Sequence, residues 1–344
     1  MVRSILMTLA FLAITVLGLL WVASTPTSAP YPKQFIHPPS SSGLTPTLER
    51  PLTLLSYNIA YGRGLLDDKG DLRSRDTIEK NLDQLIAYFK QIDADIIGLQ
   101  EVDFGAHRSH RIDEAQFVLE RLGYTVAGVE TWNKRYVPYP LWPIVQHYQA
   151  VISGQIVASK FSLRHQERIP LPQPAENGFW YNRFYLTRCL QRVELATEPP
   201  VTVINVHLEA FSGKNRLEQI PILLNTVSTI KTPLIVLGDF NALPPSARMT
   251  RGFPDEPDND YTGDRSIEIF ATQSPLTDVL RLADIPTFPA DQPTRRIDYI
   301  FVSRHWSVND AAVDPLELSD HRPIHARLTL QAAALAAAPS LVVP

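Results

Sequence analysis

Six stretches of the chain place an acid, an amide or an imidazole at or beside a run of aliphatic residues. The clearest is Leu234 to Leu243, in which Leu-Ile-Val-Leu suits a strand buried on both faces, the run stops at Gly238, and Asp239 and Asn241 follow. An acid and an amide one residue apart at the mouth of a rigid strand can hold a water and a charged oxygen together. Gly, Asp and Asn are equally the residues of an Asx-type turn, so this stretch alone favours the turn. Glu101 closes the apolar run that starts at Asp95, and a carboxylate there is costly unless a metal ion or a salt bridge pairs with it. Asn58 ends Leu52 to Asn58, and His207 ends Val201 to His207 with Glu209 just beyond. A lone histidine is more often structural than catalytic. Asp298 lies on Ile297 to Val302, and Asp320 and His321 precede the alternating strand Ile324 to Leu330.

The elements that must position these groups follow from periodicity. Ile78, Leu82, Leu85, Ile86, Phe89 and Ile92 fall on one helical face, and Ile112, Ala115, Leu119 and Leu122 form a shorter stripe closed by Gly123. Lys214 to Ile230 predicts another helix, with Leu217, Ile220, Leu224 and Val227 on one side and Pro221 expected to kink or delay it. Val151 to Leu163 and Arg188 to Ala196 are further strand candidates, while Tyr61-Gly62-Arg63-Gly64 reads as a flexible loop. From Pro244 to Thr294 the chain is rich in Pro, Asp and Gly and is expected to cover the site as loops. Trp132 to Tyr148 carries five aromatics among prolines without helix or strand period, and Phe179 to Tyr185 is similar. Such aromatics are expected to pack onto their own domain, with a substrate-stacking wall or a membrane-dipping surface as the other readings.

Composition narrows the class. A chain of 344 residues at 44% hydrophobic content buries a large core, as one large domain or two small ones. With 32 basic against 36 acidic residues the net charge is -4, which argues mildly against tight nonspecific binding of nucleic acid. Cys189 stands alone, excluding an internal disulfide and cysteine-based zinc or iron-sulfur sites. Residues Ile5 to Ala23 carry no charge and are close to the ~20 residues that span a bilayer. Residues 1–23 therefore read as a signal anchor or a cleaved signal peptide, with the balance toward a retained anchor, Arg3 inside and the remainder exported. Residues 24–50 read as a Pro/Ser-rich linker, 51–330 as the globular domain and 331–344 as an Ala-rich tail.

Asn58, Glu101, His207, Asp239, Asn241, Asp298, Asp320 and His321 all lie at or beside predicted strands, and packing those strands side by side would gather them into one cluster. In this order, Ser56-Tyr57-Asn58-Ile59, Leu99-Gln100-Glu101-Val102, Asn205-Val206-His207-Leu208, Gly238-Asp239-Phe240-Asn241, Arg296-Ile297-Asp298-Tyr299-Ile300 and Ser319-Asp320-His321-Arg322-Pro323 resemble the endonuclease/exonuclease/phosphatase superfamily. The resemblance implies an α/β fold, a four-layer DNase-like sandwich of two mixed, mainly antiparallel sheets flanked by helices. It implies that Glu101, Asn58 and Asp320 surround Mg2+ or Mn2+, and that Asp239 orients or deprotonates the attacking water. It also implies that Asn241 and His321 hold the phosphate, that Asp298 fixes His321, and that His207 contacts phosphate or the leaving group. The fragments His207 to Phe211 with Arg216 and Gln219, and Thr287-Phe288-Pro289, are similar to bacterial membrane-associated members. The expected reaction is in-line attack of water on a phosphate ester, a lipid or other extracytoplasmic phosphodiester first and extracellular nucleic acid second. A non-catalytic adaptor of the same fold is the third reading. The membrane, through residues 5–23, is the expected partner besides substrate, and no protein partner is expected.

Overall fold

The computed structural model describes residues 2–29, 31–38, 48–65 and 73–331, and within them two strand–helix–strand crossovers carry most of the predicted site. After an apolar helix α1 (Val2–Ala23) and a short strand β1 (Gln34–His37), β2 (Leu52–Asn58) runs through α2 (Arg75–Ile92) into β3 (Ile96–Asp103), parallel to β2. Ser74 caps α2 by accepting from the Thr77 amide, and Ile78, Leu82, Leu85, Ile86 and Phe89 form its buried face. The second crossover is β8 (Val201–His207), α5 (Gly213–Thr229) and β9 (Leu234–Asp239), again parallel. A helical crossover returns the chain in the same direction, so both members of each pair end on the same side.

Antiparallel strands complete the sheets. In the first, β4 (Thr125–Val137), β5 (Gln149–Ser159), β12 (Trp306–Val313) and β13 (Ile324–Leu330) give the order β1-β4-β5-β3-β2-β13-β12. In the second, β6 (Leu163–Pro170), β7 (Cys189–Leu195), β10 (Leu276–Asp278) and β11 (Asp298–Ser303) give β10-β11-β9-β8-β7-β6. The inner faces meet through Leu54, Ile96, Val157, Val203, Ile235, Leu237 and Ile300. Helices α2 and α3 (Glu114–Leu122) cover the outside of the first sheet, and α5 and α6 (Ser266–Gln273) cover the second. This is the four-layer sandwich expected.

Beneath the strand ends the sheets approach closely. A Cβ on Gly98 would lie 2.0 Å from Leu237 Cδ1, so only glycine allows this spacing. Beside it Asn205 of β8 donates from Nδ2 to the carbonyls of Leu99 (3.0 Å) and Ile156 (2.8 Å) in the opposite sheet, and its Oδ1 accepts from Gln100 Nε2 at 2.7 Å. Gln155 Nε2 donates to the Asn205 carbonyl at 2.7 Å, closing a buried polar clamp.

Several local expectations are corrected. Trp132 and Tyr136 belong to β4, because this long strand pairs with β5 as far as Val137, leaving a shorter loop before Gln149. The candidate strand Val151 to Leu163 is two strands, broken after Ser159. Pro221 neither delays nor ends α5, since Ile220, Leu223 and Val227 pack it against the second sheet; the buried face passes through Leu223 rather than Leu224. Tyr61 and Gly62 are buried in a 3-10 turn, not a free loop. Within the segment read as linker, β1 pairs with the edge of β4; residues 39–47 and the tail from 332 lie outside the described residues.

Removing the clamp leaves Gln100 and the carbonyls of Leu99 and Ile156 buried without their partner. Asn205→Ala is therefore expected to cost roughly 2–4 kcal/mol in chemical denaturation of the full chain. A loss below about 0.5 kcal/mol would mean that the clamp contributes little.

Candidate active site

The two parallel pairs deliver their last residues to one point. Asp239 is opposite His207 in the β8–β9 register and opposite Asp298 in the β11–β9 register. Its Oδ2 lies 3.1 Å from Asn58 Nδ2, 3.4 Å from His207 Nε2 and 3.7 Å from His321 Nε2. Its Oδ1 accepts from the Asn241 amide at 2.8 Å, with Asn241 at φ +50°. The Asx turn is thus present, and it is the device that fixes the Asp239 carboxylate. Asn241 Nδ2 donates to the Leu208 carbonyl at 3.2 Å.

Glu101 reaches the cluster through a bulge. Strand β3 slips against β5 between Gln100 and Val102, and Glu101, at φ +54°, is the extra residue. Such a bulge re-aims one side chain without disturbing the strand on either side. Glu101 Oε1 accepts from Asn58 Nδ2 at 3.2 Å, the one hydrogen bond this side chain makes among the described residues. No salt bridge to Glu101 is found there either.

His321 enters from the loop before β13. Its Nδ1 is 2.9 Å from Asp298 Oδ2, and Phe288 lies against its ring at 4.8 Å between centroids. The Asp298 amide donates to Thr287 Oγ1 at 3.3 Å, so Thr287 and Phe288 both brace the pair. Ser319 Oγ donates to the Asn58 carbonyl at 2.7 Å and ties this loop to β2.

Burial and neighbouring charge divide the titrating groups. Burial, reinforced by the Asp298 charge, pushes Asp239 up to about 7 against the opposing pull of His321, Asn58 and the Asn241 amide. Burial alone would discharge His321, yet Asp298 and Asp239 outweigh it and raise the imidazole to about 10. His207 is held well below the ordinary histidine value by burial, Arg188 and His321, and is neutral. The result is a carboxylate poised near neutrality between a cationic and a neutral imidazole.

Of the three groups expected around a metal, Glu101 and Asn58 come together. Asp320 sits at the edge of the cluster with both oxygens engaged, Oδ2 with Arg63 Nη2 at 2.6 Å and Oδ1 with Ser319 Oγ at 3.1 Å. A divalent cation fits the Glu101 carboxylate, a hard oxygen donor that is half-buried and has no ion pair among the described residues. Asn58 turns its Nδ2 toward both Glu101 and Asp239 while its Oδ1 accepts from the Ala60 amide at 3.1 Å, so it would have to rotate to ligate through oxygen. A second grouping, Asp239, Asp298 and His321, has its ligand atoms within 4.8 Å of one another and could also bind a cation. In it His321 Nδ1 and Asp298 Oδ2 are bonded to each other, while Asp298 Oδ1 is buried without a partner.

Arg63 and Arg188 carry charge here that sequence patterns did not single out. Arg188 is buried, its Nε unpartnered and 4.0 Å from Glu209 Oε2. Arg63 lay in a stretch that reads as a flexible loop, and Arg188 in one that reads only as the start of a strand. Arg216 and Gln219, by contrast, shape the turn after His207: Arg216 Nη1 donates to the carbonyls of Glu209 (2.9 Å) and Ala210 (2.8 Å), and Gln219 Oε1 accepts from the Glu209 amide at 3.0 Å.

The sequence profile described as the endonuclease/exonuclease/phosphatase family matches residues 55–321, which span every residue of this cluster. Among solved structures, an endonuclease/exonuclease/phosphatase from Beutenbergia cavernae is 22% identical, covers 82% of this chain and 72% of its own, and superposes with a TM-score of 0.59. The human Nocturnin catalytic domain with bound sulfate is 19% identical over 88% of this chain and 100% of its own, at a TM-score of 0.56. A mannosyl-6-phosphatase from Bacteroides thetaiotaomicron is 17% identical over 80% of this chain and 99% of its own, at a TM-score of 0.52. No curated protein sequence matches the chain.

In the metal-free protein the His321 imidazole is expected to titrate at about 10 by NMR. Asp298→Asn should lower that midpoint by about one pH unit or more, because it removes the charge bonded to Nδ1. The stability this pair contributes is full below the ordinary histidine value of 6.5 and is lost as pH rises through about 10. A midpoint unmoved by the substitution would contradict the pairing.

Proposed function

Because the chain belongs to the endonuclease/exonuclease/phosphatase family, we propose that it is a metal-dependent phosphodiesterase that attacks its ester in line with a water held at Asp239. The observation that carries this reading is the single oxygen, Asp239 Oδ2, faced at once by Asn58, His207 and His321.

Asp239, poised at about 7, takes the proton of the attacking water. His321, kept protonated by Asp298, donates from Nε2 toward the phosphate oxygens as charge develops on them, and the second amide hydrogen of Asn241 does the same. Asp298 holds the imidazole by Nδ1, so only Nε2 is free to act. His207, neutral and beside the same carboxylate, stands where it can contact phosphate or assist the leaving oxygen. Glu101 and Asn58, with Asp320 alongside, would hold Mg2+ or Mn2+, which neutralises charge on the phosphate oxygens when bound. Strand ends supply almost all of these groups, and that rigidity keeps water, acid and base in one geometry.

Neighbours of the same fold are described as a mannosyl-6-phosphatase and as Nocturnin, which differ in what they are named for, so shared architecture does not choose the ester. The apolar helix α1 supports a lipid or other extracytoplasmic phosphodiester, because it is long and apolar enough to hold residues 51–330 at a bilayer as a retained anchor.

Full-length protein in detergent with Mn2+ is expected to cleave a bis-aryl phosphodiester and at least one of sphingomyelin and phosphoinositide, and to stop on chelation. Asp239→Asn and His321→Ala should each lower kcat by roughly 10²–10⁴. Asp239→Asn should leave Tm unchanged, while His321→Ala, which strands the buried Asp298 carboxylate, should lower Tm with the chain still folded at assay temperature. Cleavage of plasmid DNA alone would overturn the lipid assignment, and full activity in both variants would overturn the roles of Asp239 and His321.

A further inference from the structure

Apolar side chains stand in the open on two segments. In the loop after β4, Leu141, Trp142 and Val145 are 81%, 77% and 83% exposed, with Tyr139 and Ile144 beside them. On the short helix α4 (Phe179–Phe184), Phe179 and Tyr181 are exposed as well. The base of the loop is firmly packed: Tyr148 lies against Tyr61, Trp132 and Tyr139, with the Arg108 guanidinium 5.0 Å from its ring. The loop is therefore a fixed base under an apolar crest, a combination that marks an interaction surface.

Helix α4, together with the strand β4 from which the loop rises, grips the foot of α1. Arg183 of α4 stacks over the Trp21 ring at 3.8 Å and donates from Nε to Ser24 Oγ at 3.0 Å. The Arg135 amide of β4 donates to the Thr25 carbonyl at 2.9 Å, and Asn133 Oδ1 accepts from the Thr27 amide at 2.7 Å. Trp132 Nε1 donates to the Phe184 carbonyl at 2.8 Å and joins the two grips. Helix α1 has 22 residues, with an 18-residue window of mean hydropathy 2.5, and none is buried by the rest of the chain. At 1.5 Å per residue it is about 33 Å long, enough to cross a hydrocarbon core of about 30 Å.

A span of that length ends at the membrane interface, and whatever is bonded to its end lies at the same depth. Exposed Trp and Tyr with nearby Lys and Arg are the side chains that settle in that zone. Lys134, Arg135 and Arg183 place cations there, which suits anionic headgroups. A protein partner would have to share this crest with the bilayer from which α1 emerges, so the bilayer is the occupant the contacts favour.

We infer that the crest formed by residues 139–145 and α4 dips into the surface of the same bilayer that α1 spans, so that the catalytic domain rests on the membrane at a fixed orientation. Tyr185, the residue directly after α4, donates from its hydroxyl to Glu209 Oε1 at 2.7 Å, two residues beyond His207, so the docked surface is mechanically continuous with the site. This inference rests on α1 lying in a bilayer and not on the reaction, and its test reads depth without turnover.

The sole cysteine, Cys189, is buried, so a new surface cysteine can be labelled selectively. Full-length Val145→Cys carrying an environment-sensitive fluorophore, reconstituted in phosphatidylcholine and phosphatidylglycerol vesicles, is expected to emit at shorter wavelength than in detergent-free buffer with urea. It should also be quenched several-fold more slowly by a water-soluble quencher than the same label at Ser228→Cys, on the exposed side of α5. Equal quenching at the two positions would overturn the docking. Protection of Val145→Cys that grows with protein concentration in lipid-free detergent would assign the crest to a second copy of the chain and overturn it equally.

Discussion

The close approach of the two sheets at Gly98 and Leu237 sets the position of every reacting group. A side chain at residue 98 would force the sheets apart, since its Cβ would overlap Leu237 Cδ1 at 2.0 Å. Asn205 and Gln100 then lock the sliding direction with hydrogen bonds that cross the core. One residue further along lie Glu101 on one sheet, and two residues beyond Asn205 lies His207 on the other. Register is therefore transmitted directly from a buried clamp to the catalytic ends.

The same burial that makes the clamp strong makes the site electrostatically demanding. Asp239, Asp298, His207 and His321 are all buried together, and only mutual pairing makes that tolerable. Asp298 is occupied by His321, His321 is charged because of Asp298 and Asp239, and Asp239 keeps a proton affinity near neutrality. Positive φ values at Ala60, Tyr61, Glu101 and Asn241 show that the backbone around the cluster is also strained. A surrounding sandwich with little freedom to relax holds both the charges and the strain, as a site on unsupported loops could not.

Much of this was legible in the sequence because strands announce their ends. Aliphatic runs stopping at Asn58, Glu101, His207 and Asp239 marked four strand ends, and the helices between them followed from the stripes of Ile78 to Ile92 and Leu217 to Val227, the second with Leu223 buried in place of Leu224. What escaped depends on partners distant in the chain. Whether Trp132 and Tyr136 belong to a strand is decided by β5, not by their own prolines and aromatics. Arg63 acquires its role only when Asp320, hundreds of residues away, meets it, and β1 exists only because the edge of β4 offers it a partner. Glu101 as a bulge residue is invisible to any periodicity, since the bulge is a property of the pair.

The proposed function and the inferred docking together join a cluster on rigid strand ends to an apolar crest beside a helix of membrane-spanning length. The proposed chemistry turns on where a divalent ion would bind, because the Glu101 carboxylate and the Asp239, Asp298 and His321 grouping are alternative places for it. Anomalous diffraction at the manganese edge from crystals grown with Mn2+ decides this most directly. The account predicts one strong peak bound to the Glu101 carboxylate, with the Asp298 to His321 hydrogen bond intact. A peak between Asp239 and Asp298 with His321 displaced, and none at Glu101, would contradict it.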